Sequence, residues 1–85
     1  MLSKPSPSIS PAQIRAARGL VGWTQAELAR RVGLRRLAIQ RIELEITKPR
    51  AGTADRIRHA FAEAGVVFDR GGAVLGAMAP GDESR

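Results

Sequence analysis

Apolar positions recur along this chain at helical spacing, in stretches divided by short breaks of glycine, proline, serine or threonine. Ile14, Ala17 and Val21 fall on one helix face. Ser10-Pro11-Ala12-Gln13 opens that helix: serine can cap it, proline suits the first helical position, and Gln13 completes a capping box. Gly22 ends it. Thr24-Gln25-Ala26-Glu27 repeats the start signal, with Trp23 and Leu28 at the two positions of a hydrophobic staple. Gly33 keeps this second helix short. A third is predicted from about Arg35 to Leu44, with Ala38, Ile39 and Ile42 on one face and Arg36, Leu37, Gln40, Arg41 and Leu44 on the other. A basic loop, Glu45 to Gly52, leads to Thr53, which can cap a fourth helix with apolar positions Ile57, Ala60, Phe61 and Ala64. Gly65 suits a left-handed cap at its end.

The period then changes. Val66-Val67-Phe68 and Ala73-Val74-Leu75 flank Asp69-Arg70-Gly71-Gly72, which predicts a β-hairpin with a four-residue loop. An isolated hairpin is marginal in water, so it must pack on the helices, pair with a second copy, or do both. The expected organisation is a mainly α domain over residues 10–65 and a hairpin over 66–76. An N-terminal arm (1–8) and a tail (79–85) hold too little apolar surface to offset their ordering entropy and are expected to be disordered.

With 85 residues the chain can build one small core. It has no cysteine and one histidine, which excludes disulfides and makes a zinc site implausible. A second subunit is the remaining source of support, so a homodimer is expected. No apolar run approaches the roughly 18 residues of a membrane span, and the first residues lack the apolar core of a secretion signal. A cytoplasmic protein is the expectation. No catalytic constellation can be assembled from the few dispersed acids and one histidine, so neither an enzyme nor a cofactor is expected.

Charge placement says more than its total. Between Arg15 and Arg50 stand nine basic residues and three acids (Glu27, Glu43 and Glu45), which accounts for the whole net charge of +6. The rest of the chain is neutral. A concentration of this kind suits a polyanionic partner.

The same region meets the constraints of two helices crossing at a tight turn. Ala29 is the small residue at the crossing, and Gly33 can take a positive φ in the turn. Leu28, Val32, Leu34, Ile39 and Ile42 are placed to lock the pair. With Gly22-Trp23-Thr24-Gln25-Ala26-Glu27-Leu28-Ala29-Arg30-Arg31-Val32-Gly33 and Ile39-Gln40-Arg41-Ile42-Glu43, residues 13–64 resemble the Cro/C1-type (xenobiotic-response-element) helix-turn-helix family. The resemblance implies a lambda-repressor-like domain of four to five helices that binds double-stranded DNA, with the hairpin in place of a fifth helix.

The resemblance also implies roles. Gln25 matches a glutamine that contacts a backbone phosphate, and the third helix matches the recognition helix, with Arg36, Leu37, Gln40 and Arg41 at base-reading positions. Arg36 or Arg41 can take guanine O6 and N7, Gln40 can pair with adenine, and Leu37 can pack on a thymine methyl. Lys48, Arg50 and a cap at Thr53 would hold phosphates. Arg18 and Glu43 match a structural salt bridge between the first and third helices. Two positions depart from the pattern. Arg35 stands where serine or threonine usually caps the third helix, which makes it a candidate phosphate contact, and Glu45 stands where glycine commonly ends that helix.

These readings point to a sequence-specific transcriptional regulator, a dimeric repressor on an inverted-repeat operator. The dimer is expected through the fourth helix and the loop before it, or through the hairpin, with Val66, Val67, Phe68, Val74 and Leu75 at the contact. The alternative is a protein-interaction module, an antitoxin or antiactivator that holds a partner protein and also binds DNA. An RNA-binding role fits less well, because the chain has no tyrosine and its phenylalanines sit in apolar settings.

Overall fold

The structure is a computed structural model that describes residues 9–69 and 72–75. The expected arm (1–8) and tail (79–85) lie outside the described residues. Four helices, α1 (Pro11–Val21), α2 (Gln25–Val32), α3 (Arg36–Glu43) and α4 (Ala51–Glu63), precede a hairpin of β1 (Val66–Asp69) and β2 (Gly72–Leu75).

Local chemistry sets most of these boundaries. At α1 the capping box is complete: Ser10 Oγ accepts from the Gln13 amide at 3.0 Å, and Gln13 Oε1 accepts from the Ser10 amide at 2.9 Å. Thr24 caps α2 by accepting from the Glu27 amide at 3.0 Å. Gly33 ends α2 at φ 76°, where a side chain would be strained, and the Leu34 amide returns to the Ala29 carbonyl at 2.9 Å.

The fourth helix departs from the sequence expectation. It begins at Ala51 with Arg50 in the cap position, so Thr53 stands inside the first turn rather than capping it. The Ala54 amide bonds the Arg50 carbonyl at 2.8 Å, closing a turn that Ala51 favours and that Gly52 does not prevent. The hairpin also differs. Asp69 pairs with Gly72, so the strands are one residue longer on each side and the connection is two residues, 70–71, instead of four.

Ile14, Leu28, Ile39, Ile57 and Phe61 are fully buried and form the centre of one core. At its edge Trp23 stacks on Phe61 with ring centroids 5.2 Å apart, and Phe68 meets Phe61 edge-on at 5.8 Å. The hairpin closes the end of this core, with β1 against α4 and β2 against α1. Val66 is buried, and Gln13 Nε2 donates to the Gly72 carbonyl at 3.1 Å, so the residue that caps α1 also anchors β2.

Candidate nucleic-acid interface

The turn at Gly33 holds α2 across α3, with Leu28, Ala29 and Val32 of α2 and Ile39 and Ile42 of α3 turned into the core. The outward side of α3 is then set by its period. Arg36, Leu37 and Arg41 are exposed, and Gln40 is half-buried beside them. Leu37, an aliphatic side chain 47% open to solvent, has no core role that would account for its type.

Behind this face lies a polar network. Glu43 is 3% exposed and accepts from Arg18 through both oxygens, Nε to Oε2 at 2.7 Å and Nη2 to Oε1 at 2.9 Å. Such two-pronged charged pairs are the strong kind of side-chain hydrogen bond. Gln25 Nε2 also donates to Glu43 Oε1, at 3.0 Å. Gln25 Oε1 accepts from Arg36 Nη1 at 3.3 Å, and the same nitrogen donates to Gln40 Oε1 at 3.3 Å. Arg15 Nη1 donates to the Glu43 carbonyl at 2.6 Å, placing a cation at the C-terminal end of α3, where the helix dipole favours it.

Sequence reasoning missed Arg15, whose only signal is its place three residues before Arg18 on the same helix. It also missed a second job for Trp23: the Arg31 guanidinium carbon lies 4.2 Å from the ring centroid, a cation–π contact.

The acids sort the cations. Glu27 accepts from Arg30 at 2.6 Å and from Arg31 at 2.7 Å, and Glu43 takes Arg18. The hydrogen bond from Arg30 is the main reason the Glu27 carboxyl is held below the usual carboxylate range, with Arg31 adding to it. In contrast, Arg35, Arg36, Arg41, Lys48 and Arg50 have no ion-pair partner among the described residues. Arg35 and Arg50 occupy the cap positions of α3 and α4, and neither helix start has a side-chain cap. A basic residue there opposes the helix dipole and leaves first-turn amides without a side-chain acceptor. An anion such as a backbone phosphate supplies what both starts lack. Gln25 stands at the first position of α2, and Thr53 is half-buried at the third of α4.

Of the expected dimer-contact residues, Val66 is buried and Phe68 packs on Phe61 within the chain, whereas Val67 is exposed. Val74 and Leu75 pair with Val67 and Val66 in the hairpin register. Among the described residues no helix is long and apolar enough to cross a membrane, and no group of histidine or acidic side chains is placed to hold a metal.

A short helix locked across an outward-facing basic helix by a glycine turn defines a helix-turn-helix DNA-binding domain. Residues 14–63 match the family model described as helix-turn-helix, and the chain belongs to that family in its Cro/C1-type branch. No curated protein matches the sequence.

Proposed function

We propose that this DNA-binding domain is a sequence-specific transcriptional regulator, acting as a homodimeric repressor in the cytoplasm on an inverted-repeat operator. The observation that carries the reading is the separation of charge. The internal acids neutralise arginines at α1 and α2, and the cations of α3 and of the loop before α4 are left for an external polyanion. In this reading α3 lies in the major groove with Arg36, Leu37, Gln40 and Arg41 at base edges. Gln25, Arg35, Lys48, Arg50 and Thr53 hold phosphates and set register.

An apolar pair supports the dimer. Leu44 and Ile46, directly after α3, are 60% and 64% exposed. Beside them a hollow of about 460 Å³ is lined in part by Ile9, Pro11, Pro49 and Ala54. The neighbouring Glu45 carries a negative charge, which DNA would repel and a second copy of the chain can accommodate. We put the twofold contact here, and it joins the two α3 helices at the ends remote from their first turns. Half-sites about one helical turn, roughly 34 Å, apart would then be read.

The test is fluorescence anisotropy on duplex DNA from upstream of the protein's own coding sequence, against a shuffled duplex, at about 150 mM salt, where non-specific binding is weak. A preference of about 10³ is expected. Equal, weak binding to that duplex and to duplexes selected from a random pool would reject the regulator and favour a protein-binding role.

A further inference from the structure

The network behind α3 has a direction. Gln25 reaches the Arg18–Glu43 pair at Glu43 Oε1, and a carboxylate oxygen can only accept. Gln25 must turn its Nε2 to Glu43 Oε1, which leaves Oε1 for Arg36. The Arg36 Nη1 group then donates to Gln40 Oε1 as well, so the sense of the Gln40 amide is also set: oxygen to Arg36, amino group free. Arg36 and Gln40 stand four apart on one helix, where their side chains meet.

A glutamine with both ends free pairs with adenine, donating to N7 and accepting from the N6 amino group. Gln40 is not free in that sense. Its oxygen keeps a second lone pair, but an adenine amino group reaching it would lie alongside the Arg36 guanidinium, hydrogens facing hydrogens. What remains for the groove is the Gln40 amino group, the Nε and Nη2 hydrogens of Arg36, and the Arg41 guanidinium, all of them donors.

We infer that the buried Glu43 orients Gln25, and through it Arg36 and Gln40, so that α3 offers the groove hydrogen-bond donors only and selects guanine, the base that presents two acceptors, O6 and N7, without an amino group in the major groove. The inference rests on the proposed reading of α3 as the base-reading helix. Glu43 and Gln25 are positioning residues in it. Arg36 and Gln40 make the contacts, and the Gln40–adenine pairing expected from the sequence is replaced by a guanine contact.

Selection of duplexes from a random pool tests it. The whole protein is expected to enrich half-sites with guanines under α3. Replacing one of these by 7-deazaguanine, which lacks the N7 acceptor, should weaken binding by about tenfold. Replacing an adenine by purine, which lacks the amino group, should change binding less than threefold, a loss below that of a base-specific contact. Gln25→Met, checked as folded against the parent by circular dichroism, should flatten the preference at the Arg36 position. Gln40→Glu, which offers acceptors, should move the preference at its position from guanine towards a base with an amino group. Enriched half-sites that lose as much affinity from removal of an adenine or cytosine amino group under α3 would overturn the donor-only assignment and leave the regulator reading intact. No enrichment of any sequence would remove both.

Discussion

The Arg18 guanidinium meets the Glu43 carboxylate at two points, 2.7 Å and 2.9 Å, and joins α1 to the end of α3 where Glu43 is almost wholly shielded from water. A pair in this setting adds modest net stability, because desolvation offsets much of its attraction. Loss of one partner is different, since it leaves a buried charge. Arg18→Met is expected to destabilise the fold by about 3 kcal/mol, the lower end for a broken buried pair, because Arg18 itself is partly exposed. The double variant Arg18→Met/Glu43→Leu should be more stable than the single one. Urea denaturation of the four proteins reads the coupling, and strictly additive losses would show that the two side chains do not act as a pair.

Glu45 takes a positive φ, 64°, the one non-glycine residue to do so among those described. The departure noted in the sequence therefore keeps the left-handed turn that glycine would make without strain. The left-handed region costs an ordinary residue roughly 1–2 kcal/mol, and glycine loses about 0.5–1 kcal/mol more chain entropy on folding. Glu45→Gly should accordingly raise stability by about 0.5–1 kcal/mol. A lowered melting temperature would mean that the Glu45 side chain makes a compensating contact.

What could be read from the sequence was local. Ser10 and Gln13 each accept from the other's amide, Thr24 accepts from the Glu27 amide, and the amides of Gly22 and Gly33 donate to carbonyls three or four residues back, so spacing is a sufficient signal. The Glu27 carboxylate, placed to reach back to the Thr24 amide, turns to Arg30 and Arg31 instead. The core followed from period. The Gln13 bond to Gly72 spans 59 residues, and no local pattern announces which carbonyl a capping side chain will reach with its second end. Gln25 is similar: its family role faces outward to phosphate, but its bond to Glu43 exists only because α2 crosses α3 closely. Arg50 displaced Thr53 as the α4 cap: its backbone is extended while its own carbonyl accepts from the Ala54 amide, a start that side-chain cap preferences alone do not announce.

Arg35 connects stability with binding. It holds the cap position of α3 without a cap bond, so Arg35→Ser should stabilise the free protein by about 1 kcal/mol. If Arg35 contacts a phosphate, the same change should weaken all duplexes alike and make the logarithmic salt slope shallower by about one. Thermal melts and anisotropy at several salt concentrations measure the two effects. An unchanged slope removes Arg35 from the phosphate contacts whatever happens to stability.

Glu27 gives a pH dependence whose sign is fixed. Its carboxyl is more acidic in the folded chain than in the unfolded one, chiefly through the hydrogen bond from Arg30. The stability it contributes is present above its unfolded pKa and is lost as pH falls through its lower, folded pKa. Parent and Glu27→Gln should therefore differ at neutral pH and converge in acid, with added salt narrowing the difference. A carboxyl titration by NMR checks the direction, and a Glu27 pKa at or above the usual carboxylate range would contradict it.

The contact between copies can be decided between two surfaces of the molecule. The hairpin already has work within the chain, since Val66 and Phe68 complete the core; Val67 is its exposed apolar side chain whose placement is described. The loop after α3 shows two such exposed side chains, Leu44 and Ile46. A twofold contact repeats each of them, so four aliphatic side chains leave water together. At about 1 kcal/mol for each of the four partly covered side chains, the Leu44→Ser/Ile46→Ser variant should weaken the dimer by about 1000-fold, while each protomer stays folded. Val67→Ser should leave it nearly unchanged. Sedimentation over a range of concentrations separates the cases: the reverse order of effects moves the contact to the hairpin, and a parent that remains monomeric at high concentration removes the dimer in the absence of DNA.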